Sequence, residues 1–388
     1  MKTYVLTLSL LISLWSCQSS ADNSKKAPPR IDSSIALTVP HLDPGELRKY
    51  HDAVSYFVDK NLSERYFNGG ILVAKNGVIV YERYSGFSDL KKKDSMTAET
   101  PLQIASTGKT LTAAAILKLI QEGRLNMDDL VSKFFPGFPY PEITVKMLLN
   151  HRSGLPNYLY YMEKMGWNKR ITATNEDVLS TLINWHPTQA YNPGKRFNYC
   201  NTNYVLLAMI VERISGIPYP QYMKDNFFTP LHMDNTFVKT QADSATVVYS
   251  YKGNGALWRP DYTDGPYGDK NIYSTPRDLL KWDQALYDGR IIKQAMLDSA
   301  FTPYSHERPG VKNYGLGWHL LILPNNKKVI YHNGRWHGFN SAFARLTDEH
   351  ITIIMTCNKM NMGVYQISKK MYNLFGSYDG KNDDPGED

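Results

Sequence analysis

A serine and a lysine three residues apart stand at the start of an apolar helix. In QIASTGKTLTAAAILKLI, which runs from Gln103 to Ile120, this spacing puts Ser106 and Lys109 side by side on one helix face. The lysine amine can then hold or take the hydroxyl proton, which makes Ser106 a candidate nucleophile. Burial and the positive end of the helix dipole should lower the pKa of Lys109 towards that of a useful base. The alternative is that Ser106 caps the helix and Lys109 is solvated.

Other motifs that could explain this helix start do not fit the sequence. A phosphate-binding loop of the form Gly-x-x-x-x-Gly-Lys-Thr needs a glycine five residues before Gly108, where Gln103 stands. The nucleophile elbow Gly-x-Ser-x-Gly needs a glycine at the position of Ile104. Neither His-Glu-x-x-His nor paired Cys-x-x-Cys motifs occur, so we expect no metal and no cofactor.

A tyrosine and an asparagine form the second candidate group. Tyr199-Cys200-Asn201 comes just before another apolar helix, from about Tyr204 to Ile214. A phenol near a cationic lysine can act as a phenolate, and an asparagine amide can both donate to and accept from a substrate amide. The alternative is that Tyr199 is one of many packing tyrosines and that Asn201 caps the helix.

The third candidate group is at the end of a late strand, in VIYHNGRWHGFNSAF. Gly334 allows a close approach of the backbone, so the amide of the next residue, Arg335, can face a bound carbonyl oxygen. His332 lies two residues earlier and would line the same place. The alternative is an ordinary histidine in a turn.

The elements that must position these groups are strands at both chain ends and helices between them. The patterns are a helix over 46–61, a hairpin turn at Asn76-Gly77, helices from 106 to about 240, strands from 314 and a last helix over 363–375. This order predicts an α+β fold in which an antiparallel sheet is formed from both chain ends and flanked by helices. A mainly helical subdomain, about 107–270, is inserted.

The N-terminal segment predicts export. Lys2 and the apolar run from Tyr4 to Trp15 are typical of a signal peptide, and Ser16-Cys17 resembles a bacterial lipoprotein site at which Cys17 is lipidated. Cleavage after Ala21 is the alternative. We expect a signal peptide over 1–17, a flexible tether over 18–43, a folded body over 44–376 and a disordered acidic tail over 377–388.

Charge and cysteine content indicate which ligands and which disulfides can be expected. The formal net charge of +7 could favour anionic ligands or an anionic cell surface, or it could be a solvated surface excess. No run of lysine or arginine marks a nucleic-acid site. After Cys17, only Cys200 and Cys357 remain, and we predict that both are free thiols.

The three groups, taken in order, resemble the serine β-lactamase and penicillin-binding protein superfamily. Its motifs are Ser-x-x-Lys on a buried helix, Tyr-x-Asn before a later helix and a third motif on a late strand. The tyrosine form is similar to class C β-lactamases, D-alanyl-D-alanine carboxypeptidases and related esterases. The similarity covers most of residues 50–375 and includes four further stretches, LLNHRSGLPNY, PLHMDNTF, YSTPRDLLKW and YGLGW.

The resemblance implies a β-lactamase/transpeptidase-like fold and a covalent mechanism. Ser106 would attack an acyl carbonyl and form an acyl-enzyme, while Lys109 and Tyr199 share the role of general base as a coupled pair. The backbone amides of Ser106 and Arg335 would form the oxyanion hole.

The resemblance also assigns the substrate-binding residues. Asn201 would orient the substrate amide, Gly334 would let the strand approach, and His332 would line the opposite wall near a substrate carboxylate. Class C β-lactamases usually carry lysine at the position of His332, which shifts the expected activity away from efficient antibiotic hydrolysis. The aromatic stretch that begins at Asn157, NYLYYMEKMGW, would either cover the cleft or pack in the core.

The predicted function is therefore an exported serine hydrolase that acts on D-amino-acid peptides or small esters, with weak β-lactam hydrolysis. The alternative is a wall-associated binding protein or β-lactam sensor that keeps the fold without turnover. The expected partners are a small-molecule or cell-wall peptide substrate and, through a lipid anchor, a membrane. Nucleic acid is not expected.

Overall fold

The computed structural model describes residues 41–63, 67–307 and 309–379. The predicted signal peptide with Cys17, residues 18–40 of the predicted tether and residues 380–388 of the predicted acidic tail lie outside these ranges. Among the described helices, none is long and apolar enough to cross a membrane.

Most helices lie in the middle of the chain and most strands near its ends. The α-helices are α1 (Pro44–Asn61), α2 (Lys109–Gln121), α3 (Val145–Leu149), α4 (Tyr158–Lys164), α5 (Asn175–Trp185), α6 (Asn201–Ser215), α7 (Tyr219–Met223), α8 (Pro276–Asp288), α9 (Gln294–Ala300) and α10 (Gly363–Met371). The β-strands are β1 (Gly69–Lys75), β2 (Val78–Ser85), β3 (Phe87–Asp89), β4 (Asp94–Ser95), β5 (Leu102–Gln103), β6 (Phe237–Val238), β7 (Ile272–Ser274), β8 (Lys312–Tyr314), β9 (His319–Ile322), β10 (Lys328–Trp336), β11 (Phe339–Leu346) and β12 (Ile351–Cys357).

The large sheet joins the two ends of the chain. Its seven described strands are antiparallel in the order β2-β1-β12-β11-β10-β9-β8, and β1 pairs with β12 from Gly69 opposite Cys357 to Lys75 opposite Ile351. Asn76 and Gly77 both have positive φ, 51° and 78°, which allows the tight turn between β1 and β2. The predicted hairpin and the predicted sheet from both chain ends are confirmed.

Alternation along the strands gives the sheet two buried faces. In β1, Ile71 and Val73 belong to one core cluster, while Leu72 and Ala74 belong to the other. Helices α1 and α10 cover the first face, and α8 packs on β1 and β12 from the other side. Burial on both faces explains why β11 and β12 consist almost entirely of apolar and small residues.

Helix α2 is the central helix of the second core. Every residue from Lys109 to Leu119 except Lys118 is buried, and the helix packs against α6. Its alanines and leucines favour the helical backbone, and its all-round apolar character is typical of a helix enclosed by protein. This burial encloses Lys109 at the first turn.

The folded body extends beyond the predicted range of 44–376 at both ends. Leu42 is buried, and the carboxylate of Asp43 accepts the backbone N–H groups of Gly45 and Glu46 at the start of α1. At the other end, Tyr378 is buried and its backbone N–H donates to Asn373. Packing therefore continues to Leu42 and Tyr378, slightly beyond the predicted limits of 44 and 376, because single anchoring residues give no periodic signal.

The thiols match the prediction. Cys200 and Cys357 are both free and buried. They stand on different elements, one just before α6 and the other at the end of β12.

Candidate active site

Ser106 stands in a short 3₁₀ turn, Ala105–Gly108, that leads directly into α2. The preceding residue, Ala105, has a φ of 48°, a left-handed backbone conformation that alanine rarely adopts. Such strain is held only by strong surrounding contacts and is frequent at functional sites. Ser106 lines a cleft of about 1540 Å³. The cap interpretation is wrong, because no side chain caps either this turn or α2.

Strand β10 lies against the 3₁₀ turn that carries Ser106. A Cβ atom on Gly334 would lie 2.1 Å from the carbonyl oxygen of Ile104 and 3.1 Å from the backbone nitrogen of Ser106. The Thr107 hydroxyl donates to the carbonyl oxygen of His332 at 3.0 Å. Glycine is therefore required at this position, as the sequence suggested. The backbone of Arg335 follows directly, so its amide remains a prediction for the second oxyanion donor.

Lys109 is completely buried beneath Ser106 and contacts three oxygens. Its Nζ lies 3.1 Å from Ser106 Oγ, 2.8 Å from Asn201 Oδ1 and 2.7 Å from the carbonyl oxygen of Asp269. Burial lowers the pKa of Lys109 to about 7, the Asp269 carboxylate opposes this fall and the Lys270 ammonium adds to it. A neutral amine has two N–H donors, which suit Asn201 and Asp269, and one lone pair, which is left for the serine proton.

Tyr199 lines the cleft beside Lys109. The lysine Nζ lies 5.0 Å from the centre of its ring, and the tyrosine hydroxyl is buried. Burial raises the pKa of Tyr199 well above 10, and an interaction with the Ser106 hydroxyl acts in the opposite direction. Burial therefore favours the protonated phenol over the phenolate that the sequence left open.

His151 holds the tyrosine segment in place, and Asn201 at its end turns towards Lys109. The backbone N–H of Cys200 donates to Nδ1 of His151 at 3.2 Å, and the His151 ring lies 4.3 Å from that of Tyr199. Asn201 is the first residue of α6 and does not cap it, because the cap position is Cys200. Its side chain is instead directed to Lys109.

His332 lines the opposite wall as a neutral side chain. Burial lowers its pKa well below 6.5, with the nearby His319 and Lys109 acting in the same direction. Its Nδ1 lies 2.7 Å from the carbonyl oxygen of Asn333, and its Nε2 lies 3.2 Å from the hydroxyl of Tyr314. A proton on Nδ1 leaves Nε2 to accept from Tyr314. His332 therefore offers no positive charge to the substrate carboxylate that was expected beside it.

The aromatic stretch after Asn157 divides between the two predicted roles. Tyr160 lines the cleft and is 73% exposed. Tyr161 is buried, and its hydroxyl donates to the carbonyl oxygen of Val178. The covering role therefore fits Tyr160, and the packing role fits Tyr161.

Sequence reasoning missed a buried charged pair that lines the same cleft, Asp269-Lys270. The pair and the Tyr158 hydroxyl form one cluster, with Tyr158 donating to Asp269 Oδ2 at 3.0 Å and Lys270 Nζ 3.4 Å from the same oxygen. Lys270 also contacts the Tyr158 hydroxyl. The adjacent charges ahead of the apolar strand β7 were an available signal, because buried charges need partners.

One acidic group near the cleft has the composition of a metal site. Ligand atoms of Asp261, Asp264 and His337 lie within 4.8 Å of one another. Asp261 accepts the backbone N–H of Thr263 at 2.8 Å, while Asp264 accepts from Trp336 Nε1 at 2.6 Å and pairs with His337 Nε2 at 3.0 Å. Capping and hydrogen bonds within the fold therefore already engage these three side chains.

The comparisons with known proteins assign the class. A family model described as Beta-lactamase matches residues 57–375, so the chain belongs to that family and is a serine hydrolase. Penicillin-binding protein 4* of Bacillus subtilis (strain 168) is 33% identical over 317 residues, which are 77% of this chain and 70% of that protein. The resemblance inferred from the motifs is confirmed.

Solved structures agree with the fold. The penicillin binding protein from Bacillus halodurans gives a TM-score of 0.72 at 22% identity and covers 83% of this chain and 99% of its own. D-amino acid amidase from Ochrobactrum anthropi SV3, in complex with D-phenylalanine, gives a TM-score of 0.69 at 25% identity and covers 84% and 98% of the two chains. The predicted α+β fold is confirmed.

Proposed function

We propose that the protein hydrolyses amides and esters of D-amino acids, including short D-amino-acid peptides, through an acyl-enzyme at Ser106. The observation that carries this proposal is the environment of Lys109, whose Nζ lies 3.1 Å from Ser106 Oγ while two other oxygens accept its N–H groups. With a pKa of about 7, a large share of Lys109 is neutral at physiological pH. A general base needs this state.

Acylation would proceed by proton transfer within this group. The lone pair of Lys109 takes the proton of Ser106 as Oγ bonds to the acyl carbon, and the oxyanion is held by the amides of Ser106 and Arg335. The bond to the leaving group breaks as the Tyr199 phenol donates its proton to that group. The Lys109 ammonium then returns a proton to Tyr199, so both residues regain their starting states.

Deacylation would use the same residues in the reverse direction. Water attacks the acyl carbon and gives a proton through Tyr199 to Lys109. The tetrahedral intermediate releases Ser106 Oγ, which takes that proton back. Tyr199 thus acts as a protonated relay, which agrees with its raised pKa.

The wall of the cleft that is lined by His332 favours neutral leaving groups, because His332 itself is neutral. A peptide with a free C-terminus brings a carboxylate to this wall, and His332 has no charge to pair with it. An amide or an ester brings no such charge. We therefore place D-amino-acid amides and esters ahead of D-alanyl-D-alanine acids, with slow β-lactam turnover. The D configuration is supported by the similar D-amino acid amidase, which was solved in complex with D-phenylalanine.

A substrate series with one acyl group tests this proposal. We expect the wild type to turn over D-alanine amide and D-alanine methyl ester faster than D-alanyl-D-alanine, and the L-alanine counterparts more slowly. Ser106→Ala should abolish turnover and the acyl adduct in mass spectrometry, while circular dichroism stays unchanged. Equal rates in wild type and Ser106→Ala would refute the proposal. A lasting adduct without product would support the sensor alternative.

We further propose that the protein is exported and anchored through lipidated Cys17. The support is the positive residue and apolar run before Ser16-Cys17. Cells that express the full chain should incorporate an alkyne-labelled fatty acid into it and retain it in the membrane fraction. Cys17→Ala should lose both. Wild-type protein that carries no lipid and starts after Ala21 would refute the anchor and leave export supported.

A further inference from the structure

A buried charged cluster lies against the catalytic lysine, and its residues Asp269 and Lys270 also line the cleft. Asp269 and Lys270 are 1% and 2% exposed, and Tyr158 is fully buried between them and the core. The ammonium of Lys270 lies 4.5 Å from the ring centre of Trp336 and 5.0 Å from that of Tyr158. Two charges are held here at a cost in desolvation, although an apolar pair would pack more readily.

The backbone of this cluster is held against both central helices. The Thr112 hydroxyl in α2 donates to the carbonyl oxygen of Gly268 at 2.7 Å. Gly268 has a φ of 97°, and a Cβ there would lie 2.4 Å from the carbonyl oxygen of Tyr204 in α6. This rigid turn directs the carbonyl oxygen of Asp269 at Lys109 Nζ.

We infer that Asp269 and Lys270 are positioning residues that set the balance between the neutral amine and the ammonium form of Lys109. Asp269 holds the amine through its carbonyl oxygen, and its carboxylate stabilises a positive charge on Lys109. The Lys270 ammonium destabilises that charge. The opposed pair thus keeps the base neutral enough to take a proton and basic enough to hold it. This inference rests on the proposed function, in which Lys109 is the base.

The other titratable groups that face Lys109 are held neutral. Burial raises the pKa of the acidic side chains around it and lowers the pKa of the histidines. These neutral groups are Tyr199, Cys200 and Tyr204 at α6, Tyr314 on β8, His151 after α3, His319 on β9 and His332 on β10. Among the described residues, Asp269 and Lys270 are thus the charged groups that act most directly on Lys109.

Two substitutions with opposite expected signs test the inference. Lys270→Met removes a like charge, so Lys109 should gain its proton at higher pH and the acid limb of kcat/KM should move up by about one pH unit, which is a tenfold loss below the limb. Asp269→Asn removes the opposite charge and should move the limb down. Tyr158→Phe removes a hydroxyl of the same cluster without a charge and is the matched control, with an unmoved limb.

A direct titration separates this inference from the proposed function. Protein with ¹³Cε-labelled lysine, assigned with Lys109→Met, reports the protonation of Lys109 by NMR without any substrate. We expect its midpoint to move up in Lys270→Met and down in Asp269→Asn. An unmoved midpoint, or a shift of the wrong sign, in a variant with native circular dichroism would overturn the inference. Each variant has its own expected direction of the Lys109 midpoint shift. If one variant fails to fold, the other still tests the inference. Absence of turnover in the wild type would refute the proposed function instead.

Discussion

The floor and the rim of the cleft differ in how firmly their side chains are held. On the floor, Lys109 is buried with three oxygen contacts, and Gly334 leaves no room for a methyl group. On the rim, Tyr160 is 73% exposed and Arg335 is also exposed. We therefore expect the closely packed floor to carry the chemistry and the exposed side chains of the rim to influence the choice of substrate. Changes on the floor should affect rates strongly, and changes on the rim should affect selectivity mildly.

The largest effect is expected from removal of the base. Lys109→Ala should lower the acylation rate of Ser106 by at least ~100-fold, because the hydroxyl loses its proton acceptor. Stopped-flow measurement with a nitrophenyl ester of a D-amino acid gives this rate. A loss below about fivefold would mean that another group deprotonates the serine.

Gly334→Ala should also disrupt the floor. The new Cβ would lie 2.1 Å from the Ile104 carbonyl oxygen, so β10 must move away from the turn that carries Ser106. Loss of one oxyanion donor lowers kcat by about 100-fold. Gly253→Ala is the matched control, since a Cβ there lies 3.8 Å from the nearest atom. Similar kcat in the two variants would separate Gly334 from the oxyanion hole.

The pH dependence of kcat/KM in the wild type reports the protonation of Lys109 on the floor of the cleft. Lys109 must be neutral to accept the proton, and its pKa is about 7. The value of kcat/KM should therefore fall about tenfold per unit below pH 7 and level off above it. A profile of kcat/KM from about pH 5 to 9 shows this limb. Constant kcat/KM through pH 7 would argue against Lys109 as the base.

His332→Lys should change the preference between peptide acids and amides at the wall that His332 lines. A lysine can pair with the carboxylate of a peptide acid, so kcat/KM for D-alanyl-D-alanine should rise about tenfold relative to the amide, equivalent to ~1.4 kcal/mol. His332→Gln is the neutral control, for which the ratio should stay near the wild-type value. The same ratio in all three proteins would show that this wall does not meet the leaving group.

The smallest effect is expected on the rim. Tyr160→Ala should change the ratio of ester to amide rates by about threefold, because one exposed ring lines the mouth of the cleft. Tyr161→Phe should leave the ratio unchanged and lower the free energy of unfolding by ~1 kcal/mol, since it removes a buried hydrogen bond. A ratio that moves in Tyr161→Phe alone would reverse the two roles.

Much of the fold could be predicted because its signals are local. Asn76-Gly77 marked a hairpin, short apolar runs marked the strands, and the apolar run after Lys109 marked a buried helix. The ends of the folded body could not be predicted from the sequence, because Leu42 and Tyr378 are single buried residues outside any periodic pattern.

Part of the site could be predicted in the same way. The structure brings Ser106, Tyr199, Asn201 and His332 to one cleft, with Lys109 beneath the serine. Their order and spacing in the chain had marked them as candidates. Protonation states were less accessible: the sequence left a phenolate open for Tyr199, whereas its burial raises its pKa and favours the phenol.

The sequence by itself determined the candidate nucleophile and its lysine, because a spacing of three on a helix is a local property that needs no other part of the chain. Only the tertiary structure decided the electrostatics of the site. Asp269 reaches Lys109 across 160 positions of the chain, and His332 loses its charge to burial among Tyr314 and His319. Desolvation and long-range contacts arise only when distant segments pack together, so no local pattern encodes them.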